Sequence, residues 1–360
     1  MNDPTLRSPV NGTFELTGRC NLSCRMCLVR VDQKRIQDLQ LRERTAQEWI
    51  DMARQAAQAG TLTLLLTGGE VMLRPDFCEI YAAIAKMGFV LTVYTNATLV
   101  TDQVMELFRA YPPHKIGVTM YGASNQTYQR LCGCPDGYDR FVTGLDRLAT
   151  LPSLLEMRTT IVQDNWTDLE TMQQFTKERL GPDRSLQISR FVTKGIRGSV
   201  TCAQQCRLSP EENVHLVHSG LVKLRQDVMS GRTTLPQQPE KFQIHRDDTI
   251  SSEESLFYRC EAGRHQYAIS WDGSMYACEL MPEGCTQPFE MGFQRAWEEL
   301  PDCYPPNQEI SRCTVCPHAP FCEVCPAIRR AETGDFFGIP DYFCREAQYL
   351  HQILSDLDVV

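Results

Sequence analysis

A chain of 360 residues, 42% hydrophobic and 22% charged, is long enough for two domains with cores of their own. Its net charge of −9 argues against nucleic acid as the main partner, because phosphate binding wants a basic face. Arg7, Arg19, Arg25 and Arg30 interrupt the start of the chain, and no stretch approaches the ~20 apolar residues that span a bilayer; a signal peptide and a membrane anchor are excluded, and the cytoplasm is the expected location.

In chain order, residues 14–17 read as a strand that ends at a group of cysteines. Residues 45–59 are amphipathic and stop at Gly60, a helix C-terminal signal. Residues 62–66 form a continuous apolar run, as in a buried parallel strand. Helical patterns at 77–87, 102–111, 141–148 and 167–178 then alternate with strand patterns at 90–95, 116–120, 157–162 and 186–189. Such alternation predicts a parallel sheet with right-handed crossovers, as a partial barrel or an open doubly wound sheet. Beyond residue 195 the pattern breaks. A long helix is predicted over 210–229, a polar linker over 230–255, and a hairpin from strands 267–270 and 274–278 around Asp272-Gly273.

Cysteine is the outlier, with 17 in the chain. A long chain with an odd cysteine count and no secretion signal points to metal binding or catalysis rather than to a disulfide framework. Cys20, Cys24 and Cys27 have the spacing C-x3-C-x2-C and follow the first strand, at the end where active sites of α/β barrels gather. Three thiolates can hold three irons of a four-iron cluster and leave the fourth open. Structural zinc would want a fourth ligand, and none stands nearby in the sequence. The motif resembles that of the radical SAM superfamily, with Met26 where an aromatic residue is common.

That resemblance implies a partial (β/α)6 TIM-like barrel and a role for several strand ends. Thr67-Gly68-Gly69-Glu70 looks like the family's GGE element, whose backbone and acid hold the methionyl amino group; glycines let a backbone edge approach a ligand, and a carboxylate pairs with an ammonium. Thr95, Asn96, Thr119, Arg158 and Arg190 fall at later strand ends, positions that in the family bind the ribose, the methionyl carboxylate or the adenine; Arg158 would suit the carboxylate.

Toward the C-terminus, Cys260 is followed by Gly273-x4-Cys278, then by Cys313-x2-Cys316-x5-Cys322-x2-Cys325 and finally Cys344. Five residues between the paired cysteines are too few for a zinc ribbon. Cys325-Pro326 matches the Cys-Pro step of two-cluster ferredoxins. The set resembles the SPASM domain of peptide-modifying radical SAM enzymes, apart from a shorter last gap in the dense run. The resemblance implies a distal cluster on Cys313, Cys316, Cys322 and Cys344, and a proximal one on Cys260, Cys278 and Cys325, with Cys285 or an open iron completing it; Cys303 is spare. Expected domains are a core over 1–200, a helix and linker over 201–255, and a SPASM domain over 256–360.

The resemblance therefore implies three [4Fe-4S] clusters and S-adenosylmethionine as cofactors. An open iron would chelate S-adenosylmethionine, and one electron would cleave it to a 5′-deoxyadenosyl radical that takes a hydrogen from the substrate. The stretch Tyr121-Gly122-Ala123-Ser124 and the SPASM-like cysteines look most like maturases of ribosomally made peptides, which form crosslinks or thioethers or epimerise residues. Such an enzyme would take electrons from a flavodoxin or ferredoxin. Only 19 residues precede Cys20, so leader recognition is expected from a separate protein or another surface. Cys132, Cys134, Cys202 and Cys206 are unassigned thiols, each a candidate hydrogen donor for an epimerase or a small core residue. Two other readings are anaerobic sulfatase-type maturation of Ser or Cys, and a non-catalytic iron–sulfur electron carrier.

Overall fold

The structure is a computed structural model, and it describes residues 7–31, 42–193, 203–232, 260–281, 283–284, 286–305 and 310–357. One eight-stranded sheet organises the larger part of the molecule. Its strands are β1 (Asn11–Glu15), β2 (Thr63–Thr67), β3 (Val90–Thr95), β4 (Lys115–Thr119), β5 (Leu154–Thr160), β6 (Gln187–Ser189), β7 (Gln266–Ile269) and β8 (Met275–Tyr276). Their spatial order is β6-β5-β4-β3-β2-β1-β7-β8. β1 to β6 are parallel and pair in sequence order. A doubly wound sheet would reverse its strand order part-way; β1 to β6 never do, and their order is that of a partial barrel.

The intervening helices are α1 (Ala46–Gln58), α2 (Phe77–Ala85), α3 (Asp102–Ala110), α4 (Asn125–Cys132), α5 (Gly137–Leu148) and α6 (Leu169–Leu180). Local chemistry fixes their starts. Thr45 and Glu48 form a reciprocal capping box on α1, Thr101 caps α3 and Ser124 caps α4. The strands bury one face against these helices, through Phe14, Leu64, Leu66, Leu91, Val93, Ile116, Val118 and Met157. Trp49 of α1 lies 5.0 Å from Phe14 of β1, ring centre to ring centre. The alternate residues of β2, β3 and β5 are only half-buried. The run 62–66 is therefore not a strand buried on both faces. Leu62 precedes β2 and is 62% exposed, while Leu65 points to the less covered face.

β7 zips onto β1 in parallel, and β8 returns antiparallel, the predicted hairpin. Gly12 makes room for this: a Cβ there would sit 2.5 Å from the Tyr267 hydroxyl, which hydrogen-bonds the Thr61 hydroxyl at 3.0 Å. Tyr267 is fully buried, and a ring of that size contributes about 2–3 kcal/mol through burial.

The chain divides into two compact units. The first is Met1–Arg207 with Cys260–Pro305, and the second is Leu208–Arg259 with Pro306–Val360. This differs from the boundaries expected from sequence. Residues 260–305 belong with the barrel because β7 extends its sheet, whereas the cysteine spacing had grouped them with the last part of the chain.

In the second unit the helix predicted over 210–229 is two helices, α7 (Pro210–Val217) and α8 (Ser219–Met229). They part at His218, at φ −115° and ψ 34°, where Ser219 and Gly220 follow and favour helix weakly. They pack on α11 (Asp341–Asp356) through Val214, Val222, Ile353 and Leu357. Arg225 pairs with Asp356, and Arg345 with Glu211 at 2.8 Å. Most of the predicted linker 230–255 lies outside the described residues. No helix among the described residues is long and apolar enough to cross a membrane.

Candidate functional site

β1 delivers the chain to the loop that carries Cys20, Cys24 and Cys27, and two elements hold that loop. On one side lies the Gly68-Gly69-Glu70 turn after β2. The Gly69 N–H donates to the Thr17 carbonyl at 2.7 Å, and the Glu70 N–H to the Arg19 carbonyl at 2.9 Å. A Cβ on Gly68, at φ +143°, would meet the Thr17 carbonyl oxygen at 2.4 Å, and one on Gly69 the Arg19 oxygen at 2.1 Å. Both glycines thus serve backbone docking against backbone, a close approach that only glycine permits. On the other side lies the end of α4, a helix that the sequence reading missed. The Ser23 N–H donates to the Cys132 carbonyl at 2.8 Å, and the Arg25 N–H to that of Leu131 at 3.1 Å.

Held in this way, the three thiols lie close enough to feel one another's charge. Burial pushes Cys20 well above the ordinary thiol range and Cys27 to about 11. Cys24 is also raised, first by its hydrogen bond with the Cys132 thiol and then by burial. Buried thiols of this kind stay protonated until a metal's positive charge converts them to ligands. Backbone N–H groups already point at two of the sulfurs, Leu22 at Cys20 (3.4 Å) and Arg30 at Cys27 (3.2 Å). A soft, three-thiol donor set with N–H···S support suits an iron–sulfur cluster. Among the described residues, no three His, Cys, Asp or Glu side chains are grouped as ligands of a single metal ion.

Glu70 is 1% exposed and ties β2 to β3. Its Oε1 accepts from the Met72 N–H (3.1 Å) and the Thr95 hydroxyl (2.9 Å), and its Oε2 from the Asn96 N–H (2.7 Å). Burial raises its carboxyl above the usual range, and these three donors oppose the rise. Asn96 reaches the cysteine loop, donating to Asn21 Oδ1 at 2.9 Å and lying 3.8 Å from Cys20 Sγ. Asn21 in turn donates to the Thr98 hydroxyl at 2.8 Å. Ala97, between Asn96 and Thr98, adopts φ +58°, a conformation that costs a non-glycine residue about 1 kcal/mol. Asn21, Ala97 and Thr98 carried no signal in the sequence beyond their nearness to Cys20 and Asn96.

The other expected residues ring the same strand ends. The Thr67 carbonyl accepts from the Leu16 N–H at 2.8 Å. Thr119 and Arg158 are register partners on β4 and β5. The Arg158 guanidinium stacks 4.0 Å from the centre of the Tyr94 ring, and its Nη1 is buried without a hydrogen-bond partner. Arg190 follows β6, and its guanidinium lies 4.8 Å from the Phe191 ring.

In the second unit Cys313, Cys316, Cys322 and Cys344 converge. Cys344, on α11, feels the charges of the other three, and Cys322 those of Cys313 and Cys316. Burial raises both Cys322 and Cys344. Cys313 lies on α9 (Ser311–Thr314) and Cys325 begins α10 (Pro326–Thr333) in the same unit, while Cys260 and Cys278 belong to the first. Cys303, expected to be spare, is disulfide-bonded. Cys132 is buried against Cys24, and Cys134 and Cys206 are buried; Cys202 and Cys285 lie outside the described residues.

Residues 14–175, from β1 into α6, match the family described as the radical SAM superfamily. This stretch is a radical SAM domain. A radical SAM domain implies a [4Fe-4S] cluster and S-adenosylmethionine as cofactors. It is 25% identical over 337 residues to an AdoMet-dependent heme synthase of Methanosarcina barkeri, covering 90% of this chain and 93% of the relative. It is 24% identical to the antilisterial bacteriocin subtilosin biosynthesis protein AlbA of Bacillus subtilis, over 47% of this chain and 37% of AlbA, so it spans little more than a third of that relative. Streptococcus suis SuiB bound to precursor peptide SuiA shares the fold, at a TM-score of 0.67 and 16% identity over 94% of this chain and 76% of SuiB.

Proposed function

We propose that Cys20, Cys24 and Cys27 hold three irons of the cluster, that the fourth iron takes S-adenosylmethionine, and that the enzyme uses the pair to modify a peptide. The observation that carries the site is the convergence of three buried thiols at the end of β1, beside Glu70, in a radical SAM domain. When bound, the two groups supply a 5′-deoxyadenosyl radical at the cost of one electron.

The chain's residues position and shield. Glu70 Oε2 takes one donor from the chain and keeps a lone pair for the methionyl ammonium, with Gly68 and Gly69 setting the turn. The unpartnered Arg158 Nη1 is a ready donor to the methionyl carboxylate. Thr67, Thr95, Asn96, Thr119 and Arg190 line the rim around the nucleoside. Cys313, Cys316, Cys322 and Cys344 hold an auxiliary cluster, and the sequence pattern assigns a third to Cys260, Cys278 and Cys325. The core, the linking helices and the cysteine-rich part divide the labour, in a cytoplasmic enzyme that draws electrons from a flavodoxin or ferredoxin. A leader-binding protein would present the peptide.

Peptide modification is supported by AlbA and by SuiB with its precursor peptide. A second reading, a step in heme synthesis, is favoured by the near full-length likeness to the heme synthase. Anaerobic reconstitution, followed by 5′-deoxyadenosine measurement with a candidate precursor peptide or a heme precursor added, separates the two. Turnover coupled to the peptide supports the first reading, and turnover coupled only to the heme precursor replaces it. Iron-free protein that forms no 5′-deoxyadenosine overturns the site.

A further inference from the structure

Arg329 is a charged side chain to which the functional reading gives no role. It sits one turn into α10 after Cys325, whose carbonyl accepts its N–H at 3.0 Å. It is 9% exposed. Its Nη1 donates to the Gly338 carbonyl at 2.7 Å, which anchors one arm of the fork. Its Nη2 donates to Cys313 Sγ at 3.5 Å. Its charge also bears on the thiols of Cys322 and Cys344. One buried guanidinium thus faces three of the four converging cysteines.

A guanidinium keeps its charge at any pH a protein survives, so this is a fixed positive charge. Four thiolates on an iron–sulfur core make a negative assembly, and reduction adds one more negative charge. A cation held close by in a poorly screened interior stabilises the reduced form more than the oxidised one. A hydrogen bond to a ligating sulfur acts in the same direction. We propose that Arg329 is a positioning residue for the cluster of Cys313, Cys316, Cys322 and Cys344 and raises its reduction potential. The proposal rests on the reading that these four cysteines hold a cluster.

Full-length Arg329→Met and Arg329→Lys proteins, reconstituted anaerobically, test it by iron and sulfide content and by reductive titration followed by EPR. The signal lost in Cys316→Ala identifies the cluster in question. In Arg329→Met the ratio of reduced to oxidised cluster at a fixed potential is expected to fall about tenfold, a shift of about 59 mV to the negative for one electron. Arg329→Lys keeps the charge and is expected to recover part of that shift. Equal potentials in wild type and Arg329→Met overturn the proposal. A second measurement needs no variant at Arg329. Wild-type protein grown with nitrogen-15 arginine is expected to show a nitrogen coupling on the reduced cluster by pulsed EPR, and its absence overturns the proposal even where Arg329→Met loses the cluster. If Cys316→Ala loses no iron, the cluster reading fails instead.

Discussion

The guanidinium of Arg158 lies over the ring of Tyr94, 4.0 Å from its centre, across the one strand, β4, that separates β3 from β5. Gly117 on the strand between them is what allows it. A Cβ at Gly117 would come within 2.5 Å of the Tyr94 ring and 3.2 Å of the Arg158 Cδ. The stack holds a planar fork with Nη1 unused at the strand ends where the cofactor's carboxylate is proposed to sit. Lysine cannot stack or present two donors in this way. Arg158→Lys is therefore expected to weaken S-adenosylmethionine binding about 10-fold, the value of one charge-assisted hydrogen bond. Anaerobic calorimetry measures it, and unchanged affinity would remove Arg158 from the cofactor site.

The turn after β2 gives a different kind of test. Gly69→Ala places a methyl group where the Arg19 carbonyl oxygen now lies, 2.1 Å away. The loops must separate, and the Glu70 N–H to Arg19 bond is lost with them. A loss of at least about 2 kcal/mol of stability is expected, in line with overpacking at a close contact. The cysteine loop should loosen as well, so iron retention falls together with the melting temperature. A protein that melts as wild type and still fails to cleave S-adenosylmethionine would assign Gly69 to the ligand rather than to loop docking.

These two sites differ in how much of them the sequence exposed. The C-x3-C-x2-C spacing and Gly68-Gly69-Glu70 are local patterns, and their meeting was legible because consecutive parallel strands are neighbours. The strand–helix alternation was legible for the same reason, and β3 falls over the predicted span 90–95. The clamp from α4 was not, since its residues 125–132 have a mean polarity that hides a short amphipathic helix. Nor was the pairing of β7 with β1, a contact between residues more than 250 apart, which moves Cys260 and Cys278 into the first unit. Arg329 is one arginine among many in the sequence, and only the fold brings it to Cys313.

Cys24 and Cys132 offer a contrast within a single contact. Both thiols are buried, and a hydrogen bond joins them. Cys24→Ala removes a proposed iron ligand and is expected to abolish 5′-deoxyadenosine formation. Cys132→Ala removes only a neighbour of that ligand, and changes of this kind cost about 10-fold in cluster retention or activity. Iron content and 5′-deoxyadenosine yield, measured on the same samples, check both. Retained cleavage in Cys24→Ala would refute the ligand assignment. Complete loss in Cys132→Ala with full iron would instead give that thiol a chemical role, such as hydrogen donation.

Cys316 carries the last prediction, because it separates the two ends of the chemistry. Its partners Cys313 and Cys322 are close in sequence, and Cys344 arrives from α11, whose other face packs on α7 and α8 through Ile353 and Leu357. The thiol quartet is thus pinned to a helix with its own hydrophobic support. Cys316→Ala should leave that helix packing and the radical SAM domain in place and cost about four irons, one cluster's worth. Without substrate, 5′-deoxyadenosine formation should persist, since Cys20, Cys24 and Cys27 lie in the other unit. With substrate, product should be lost, because the electron that closes the reaction has no relay. Wild-type product from a Cys316→Ala protein lacking those irons would make the auxiliary cluster dispensable, and loss of both activities would show that the two units depend on each other to fold.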